Sequence, residues 1–220
     1  MSTIDASELL RPGLLRGVSI LLAGAHAADP AADAGAAGAR LGESVASACT
    51  GLGARVFECE LSSDGPDGRE EAAVERAAQE AVDRALADAR SVELLAVDGA
   101  SVFAQAGGRE ALRACLDASW NVTRAVAASA FLPDERGGRI VYVAPSPDDG
   151  EHADAARAGL ENLARTLSIE WARHGITTVA VAPGAATAPS EVAALTAYLA
   201  SPAGAYFSGC LLDLRGPAAG

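Results

Sequence analysis

Apolar positions along the chain fall into two alternating rhythms. Short continuous runs, Val18-Ser19-Ile20-Leu21-Leu22-Ala23, Val92–Ala96, Arg139–Ala144 and Ile176–Ala182, read as strands covered on both faces. Between them lie segments with helical spacing: Val45–Gly53, which leads into a further strand Ala54-Arg55-Val56-Phe57, then Glu70–Arg90, Gly108–Leu132 and Ala155–His174. In the last of these, Ala153, Arg157, Leu160, Ala164, Leu167 and Trp171 share one stripe, which predicts packing on a sheet. The opposite side, Gly159, Leu163, Thr166 and Glu170, is mixed and suits a partner helix. Strands alternating with helices predict an α/β protein, a parallel, doubly wound sheet of about six or seven strands with helices on both faces. A turn-rich stretch, Asp64 to Gly68, is the one linker, and nothing divides residues 1–220 into more than a single domain.

Composition narrows the partners. The formal net charge is −12, which argues against nucleic acid or an anionic membrane. No apolar run is long enough to span a bilayer, and Met1–Arg11 is polar and acidic where a secretory signal would be apolar, so a cytoplasmic location is expected. Cys49, Cys59, Cys115 and Cys210 are scattered without metal or disulfide spacing and read as small apolar residues. His26, His152 and His174 are too dispersed for a metal site, and none is expected.

Four stretches carry a family resemblance. The strand Arg139–Ala144, a short acidic loop, the helix with Arg157-Ala158-Gly159-Leu160, and the strand Ile176–Ala182 with Pro183-Gly184 form the first. Val18–Ala25, ending in a glycine turn, is the second, and Val97-Asp98-Gly99-Ala100 the third. Tyr198-Leu199-Ala200-Ser201, followed by Tyr206-Phe207-Ser208-Gly209-Cys210-Leu211-Leu212-Asp213-Leu214, is the fourth. Together they resemble the short-chain dehydrogenases/reductases, especially the ketoacyl-reductase branch. The resemblance implies a single Rossmann-like domain with strand order 3-2-1-4-5-6-7.

It also shows what the chain lacks. Active members use a tyrosine as general acid, a lysine that lowers its pKa and holds the nicotinamide ribose, a serine that orients the carbonyl, and an asparagine in the preceding helix. The matching positions here hold Ala153, Arg157, Pro145 (or its neighbour Ala144) and Cys115. Alanine moves no proton, and proline has neither hydroxyl nor N–H. Arginine keeps the charge but presents a fixed fork. All 17 basic residues of the chain are arginine, so Arg157 also follows the chain's composition.

The cofactor loop is altered too. Gly24 is followed by an Ala-rich insertion, His26 to Ala39, before Arg40-Leu41-Gly42. Asp29 and Asp33 within it would repel a diphosphate, and the insertion reads as a flexible loop; Gly35, Gly38 and Gly42 could alternatively form a phosphate nest with Arg40 as counter-charge. Glu60 stands where the family often has an acid for the ribose hydroxyls. Gly24, Arg40, Gly42 and Glu60 are therefore vestigial binding candidates, and no cofactor is expected. Thr187-Ala188-Pro189-Ser190-Glu191-Val192 follows Pro183-Gly184 almost at once, so the substrate lid reads as deleted.

The resulting expectation is a non-catalytic subunit serving as scaffold or regulator. It would assemble with itself or with an active reductase paralogue through helices near 108–132 and 155–174 and the segment 198–214. The alternatives are an NAD(P)-dependent oxidoreductase with an atypical site, His152 as acid and Arg157 as anchor, or a module that binds a nucleotide or acyl-CoA.

Overall fold

The computed structural model describes residues 6–24, 36–61, 71–87, 89 and 91–215. In chain order these form α1 (Ala6–Leu9), β1 (Ser19–Gly24), α2 (Ala36–Gly51), β2 (Arg55–Glu60), α3 (Glu71–Leu86) and β3 (Leu94–Asp98). There follow α4 (Gly99–Phe103), α5 (Gly108–Val126), β4 (Gly138–Val143), α6 (Ala153–Glu170), β5 (Ile176–Ala182), α7 (Pro189–Ala200) and β6 (Cys210–Asp213). The six strands make one sheet, every neighbouring pair parallel, in the order β2-β1-β3-β4-β5-β6. The doubly wound α/β class read from the sequence is the one observed. The outermost strand of the expected seven, the one that would flank β2, has no counterpart among the described residues, so β2 is an edge.

Successive side chains of a strand point to opposite faces, and each face has its own core. Leu21, Ala23, Leu95, Val97, Ile140 and Tyr142 pack with α3, α5 and α6. Ile20, Leu22, Leu94, Ala96, Val141 and Val181 pack with α2 and α7. The stripe on α6 behaves as its spacing predicts: Ala153, Arg157, Leu160, Ala164 and Leu167 are buried, and Trp171 is partly so. On the other side of that helix Thr166 and Glu170 are exposed, while Gly159 is covered. Gly159 lies so close to α5 that a Cβ there would come 2.7 Å from a Leu116 methyl, so α5 of the same chain is the helix packed on it.

Element boundaries shift for physical reasons. The helix expected over Gly108–Leu132 is α up to Val126 and then a π turn, Ala127–Phe131, which seats the fully buried Phe131 against Gly138. The helix expected to reach His174 ends at Glu170 and closes through a 3₁₀ turn onto Gly175 at φ 68°, a left-handed conformation glycine adopts freely. Under the sheet, Tyr142 and Thr123 share a hydrogen bond of 2.9 Å, both fully buried. Tyr142→Phe is expected to lose about 1 kcal/mol in urea denaturation, because it leaves the Thr123 hydroxyl without its partner. Unchanged stability would show that Thr123 is satisfied elsewhere.

Candidate functional site

Parallel strands bring their carboxyl ends to one edge of the sheet. The registers set Glu60, Gly24, Asp98 and Val143 side by side, with Val181 next in the row. Between β1 and β3 the strand order reverses, which is where open α/β sheets leave a crevice for ligands. Gly24 sits in that crevice because nothing larger passes. A Cβ on it would meet Ser101 Oγ at 3.0 Å and Asp98 Cβ at 3.1 Å.

Asp98 is buried at 4% exposure and caps α4: its Oδ1 accepts the Ser101 N–H at 3.0 Å, while Ser101 Oγ donates to the Asp98 carbonyl. Burial pushes its carboxyl up to about 7, against the pull of the hydrogen bonds from Ser101 and Ala100. Oδ2 points toward α2, lying 3.8 Å from where a Gly42 Cβ would be. Sequence reasoning placed Val97-Asp98-Gly99-Ala100 only as a landmark and missed this acid. Its sole signal was a charged residue at the end of an apolar run.

Helix α2 corrects the reading of the insertion. It begins at Ala36, so Gly38, Arg40 and Gly42 are helical and not part of a loop, while Gly35, Asp29 and Asp33 lie outside the described residues. The first turn of α2 stands six residues before Gly42, roughly 9 Å further along the axis than a helix starting at Gly42 would. Glu60 is exposed at the end of β2.

Beyond β4 and β5 the centre is Arg157. Its side chain crosses from α6 and is 8% exposed, with Nη1 donating to the Pro145 carbonyl at 2.6 Å and the Pro183 carbonyl at 2.7 Å. The guanidinium therefore ties together the two loops that leave the sheet. Nε lies 4.0 Å from the Asp154 carboxylate. Burial lowers the Arg157 pKa, helped by Arg215, while Asp213, Asp154 and Asp149 oppose that effect. Asp149 itself is raised by burial and accepts the Ser146 N–H at 2.6 Å.

Of the positions matched to the family's catalytic residues, Pro145 follows β4, Ala153 opens α6 against the core, and Cys115 on α5 is fully buried. The Cys115 thiol is pushed up to about 12 by burial and then by Asp98, and it faces Gly99. His152 caps α6 at φ 70°, with Nε2 3.5 Å from the Glu151 carboxylate. Only six residues, Pro183 to Ala188, separate β5 from α7, so the segment read as a missing lid is short in the structure. Among the described residues no group of His, Cys, Asp and Glu gathers as a metal site, and no helix is long and apolar enough to cross a membrane.

No protein-family model matches the chain. Solved structures match it along nearly its whole length. A short-chain dehydrogenase from Mycobacterium smegmatis is 22% identical, with a TM-score of 0.69 over 100% of this chain and 98% of that one. The citronellol catabolism dehydrogenase of Pseudomonas aeruginosa is 24% identical, with a TM-score of 0.67 over 94% and 96%. A structure from Beutenbergia cavernae described as an NAD(P)-dependent gluconate 5-dehydrogenase, with NADP bound at low occupancy, is 22% identical at a TM-score of 0.64 over 93% and 98%. The chain has the short-chain dehydrogenase/reductase fold. These matches overturn the scaffold expectation: the structures named are dehydrogenases, and the chain covers almost all of each.

The residues at the switch point fit the adenosine side of a dinucleotide. Gly24 leaves room at the strand end, Glu60 stands beside it, and the Gly42 turn of α2 lies against the buried Asp98 in the same region.

Proposed function

We propose that this chain is an NAD(P)-dependent oxidoreductase of the short-chain dehydrogenase type with an atypical site. The observation that carries the reading is the row Glu60, Gly24 and Asp98 at the reversal of strand order. Glu60 accepts hydrogen bonds from the adenosine ribose hydroxyls. The diphosphate lies over Gly24, beside the Gly42 turn of α2. Arg157 has its Nη1 spent on two carbonyls, so its Nε edge is the part that anchors the second ribose. The nicotinamide, when bound, supplies or accepts hydride. His152, at the mouth beside α6, exchanges the proton that Ala153 and Pro145 have no means to deliver. Self-association through the exposed faces of α5 and α6, where Trp120 and Ile169 stand out, belongs to the same proposal. Binding of a nucleotide without turnover is the second reading, favoured by the apolar residues at the two hydroxyl positions.

Calorimetric titration with NADH and NADPH tests the binding half. Saturable binding is expected, and Glu60→Ala should weaken it about tenfold by removing a charged hydrogen-bond acceptor. No saturation at millimolar nucleotide would defeat the proposal. Nicotinamide absorbance with a panel of ketones and alcohols then separates turnover from binding alone.

A further inference from the structure

Among the described residues, Asp98 is the only carboxylic acid that the fold buries. The Ser101 N–H bonds one oxygen and the Ala100 N–H also reaches the carboxyl, while Oδ2 lies against the Gly42 turn of α2, 3.8 Å from where a Cβ would be, beside Gly24. Among the described residues, the groups packed around it bring no compensating charge. From α5 comes the Cys115 thiol, neutral at any ordinary pH. From β1 come Leu22 and Gly24, from β4 Val143, from α4 Ser101, and from α2 the backbone of Gly42. A carboxylate in this position would oppose a diphosphate drawn to the same crevice.

Resting on the nucleotide reading above, we propose that Asp98 meets a bound dinucleotide as a neutral carboxylic acid, so that binding of the diphosphate takes up a proton at this side chain. Burial supports it, since the free protein already holds this acid at about 7, half protonated near neutral pH. A nearby diphosphate raises it further, because like charges disfavour the ionised form. The sign follows from linkage: a group whose pKa rises on binding strengthens binding as pH falls through its free value. Asparagine keeps the shape and one donor and carries no charge, so it stands permanently for the protonated acid.

The probe is ADP-ribose, whose diphosphate diester and adenine keep one charge state around neutrality. Wild-type protein should bind it about tenfold more weakly at about pH 8 than at about pH 6. Calorimetry in two buffers of different ionisation enthalpy should record proton uptake near neutral pH. Asp98→Asn should bind with no comparable pH dependence and no comparable proton uptake. Binding by the wild type without proton uptake, or parallel pH profiles in the two proteins, would overturn the inference while leaving the nucleotide reading intact. Failure of ADP-ribose to bind either protein at any pH would remove both. The buffer comparison on the wild type stands even if the variant folds poorly.

Discussion

Replacing Asp98 by asparagine is expected to stabilise the protein at about pH 8 and to change little at about pH 4. The acid has an ordinary value of 3.8, and burial lifts it to about 7 in the folded state. The folded protein therefore holds this proton more tightly than the unfolded chain. The stability tied to the protonated form is complete below the unfolded value, drains away as pH rises toward 7, and is absent above it. About three pH units correspond to on the order of 4 kcal/mol, or roughly 10 °C in melting temperature for a chain of this length. Thermal melts of both proteins across this range would measure it. Parallel curves would show that the Asp98 carboxylate is better solvated than its burial indicates.

Arg157→Met is expected to cost about 3 kcal/mol, because it leaves the Pro145 and Pro183 carbonyls without the donor that now joins them. The methionine fills much of the same apolar space, so lost packing contributes little. Arg157→Lys should cost about half as much, since a compact ammonium bonds one carbonyl well and the other poorly. Urea denaturation resolves the three proteins. Equal stability of wild type and Arg157→Met would mean that the loops after β4 and β5 hold their places without this bridge.

Much of the fold was legible because buried parallel strands write themselves as apolar runs. β1, β4 and β5 lie where Val18–Ala23, Arg139–Ala144 and Ile176–Ala182 put them, within a residue. The start of α2 was not legible. Gly38 and Gly42 suggested a loop, yet Ala36, Ala37 and Ala39 beside them carry the highest helix propensity and offset the glycines.

The site was legible as a set of positions and not as a set of contacts. Alignment to a familiar pattern located Arg157, but no spacing rule says that a guanidinium will be spent on two backbone carbonyls. Asp98 was harder still. A charge at the end of an apolar run ordinarily faces water, and only packing from α2 and α4, remote or short-range in sequence, takes it out of solvent.

The edge at β2 has a consequence for the behaviour of the protein in concentrated solution. Arg55 and Leu61 direct their N–H groups to β1, so Val56, Glu58 and Glu60 turn their backbone groups outward, where no strand among the described residues pairs with them and another can add. What deters that addition is the pair of exposed carboxylates at Glu58 and Glu60, which share one face of the strand. Such a guard is only as strong as its ionisation. Acid or high salt strips it away, and the same strand then becomes a template for sheet-to-sheet aggregation, so the colloidal stability of the molecule is held by two side chains that its folding does not require.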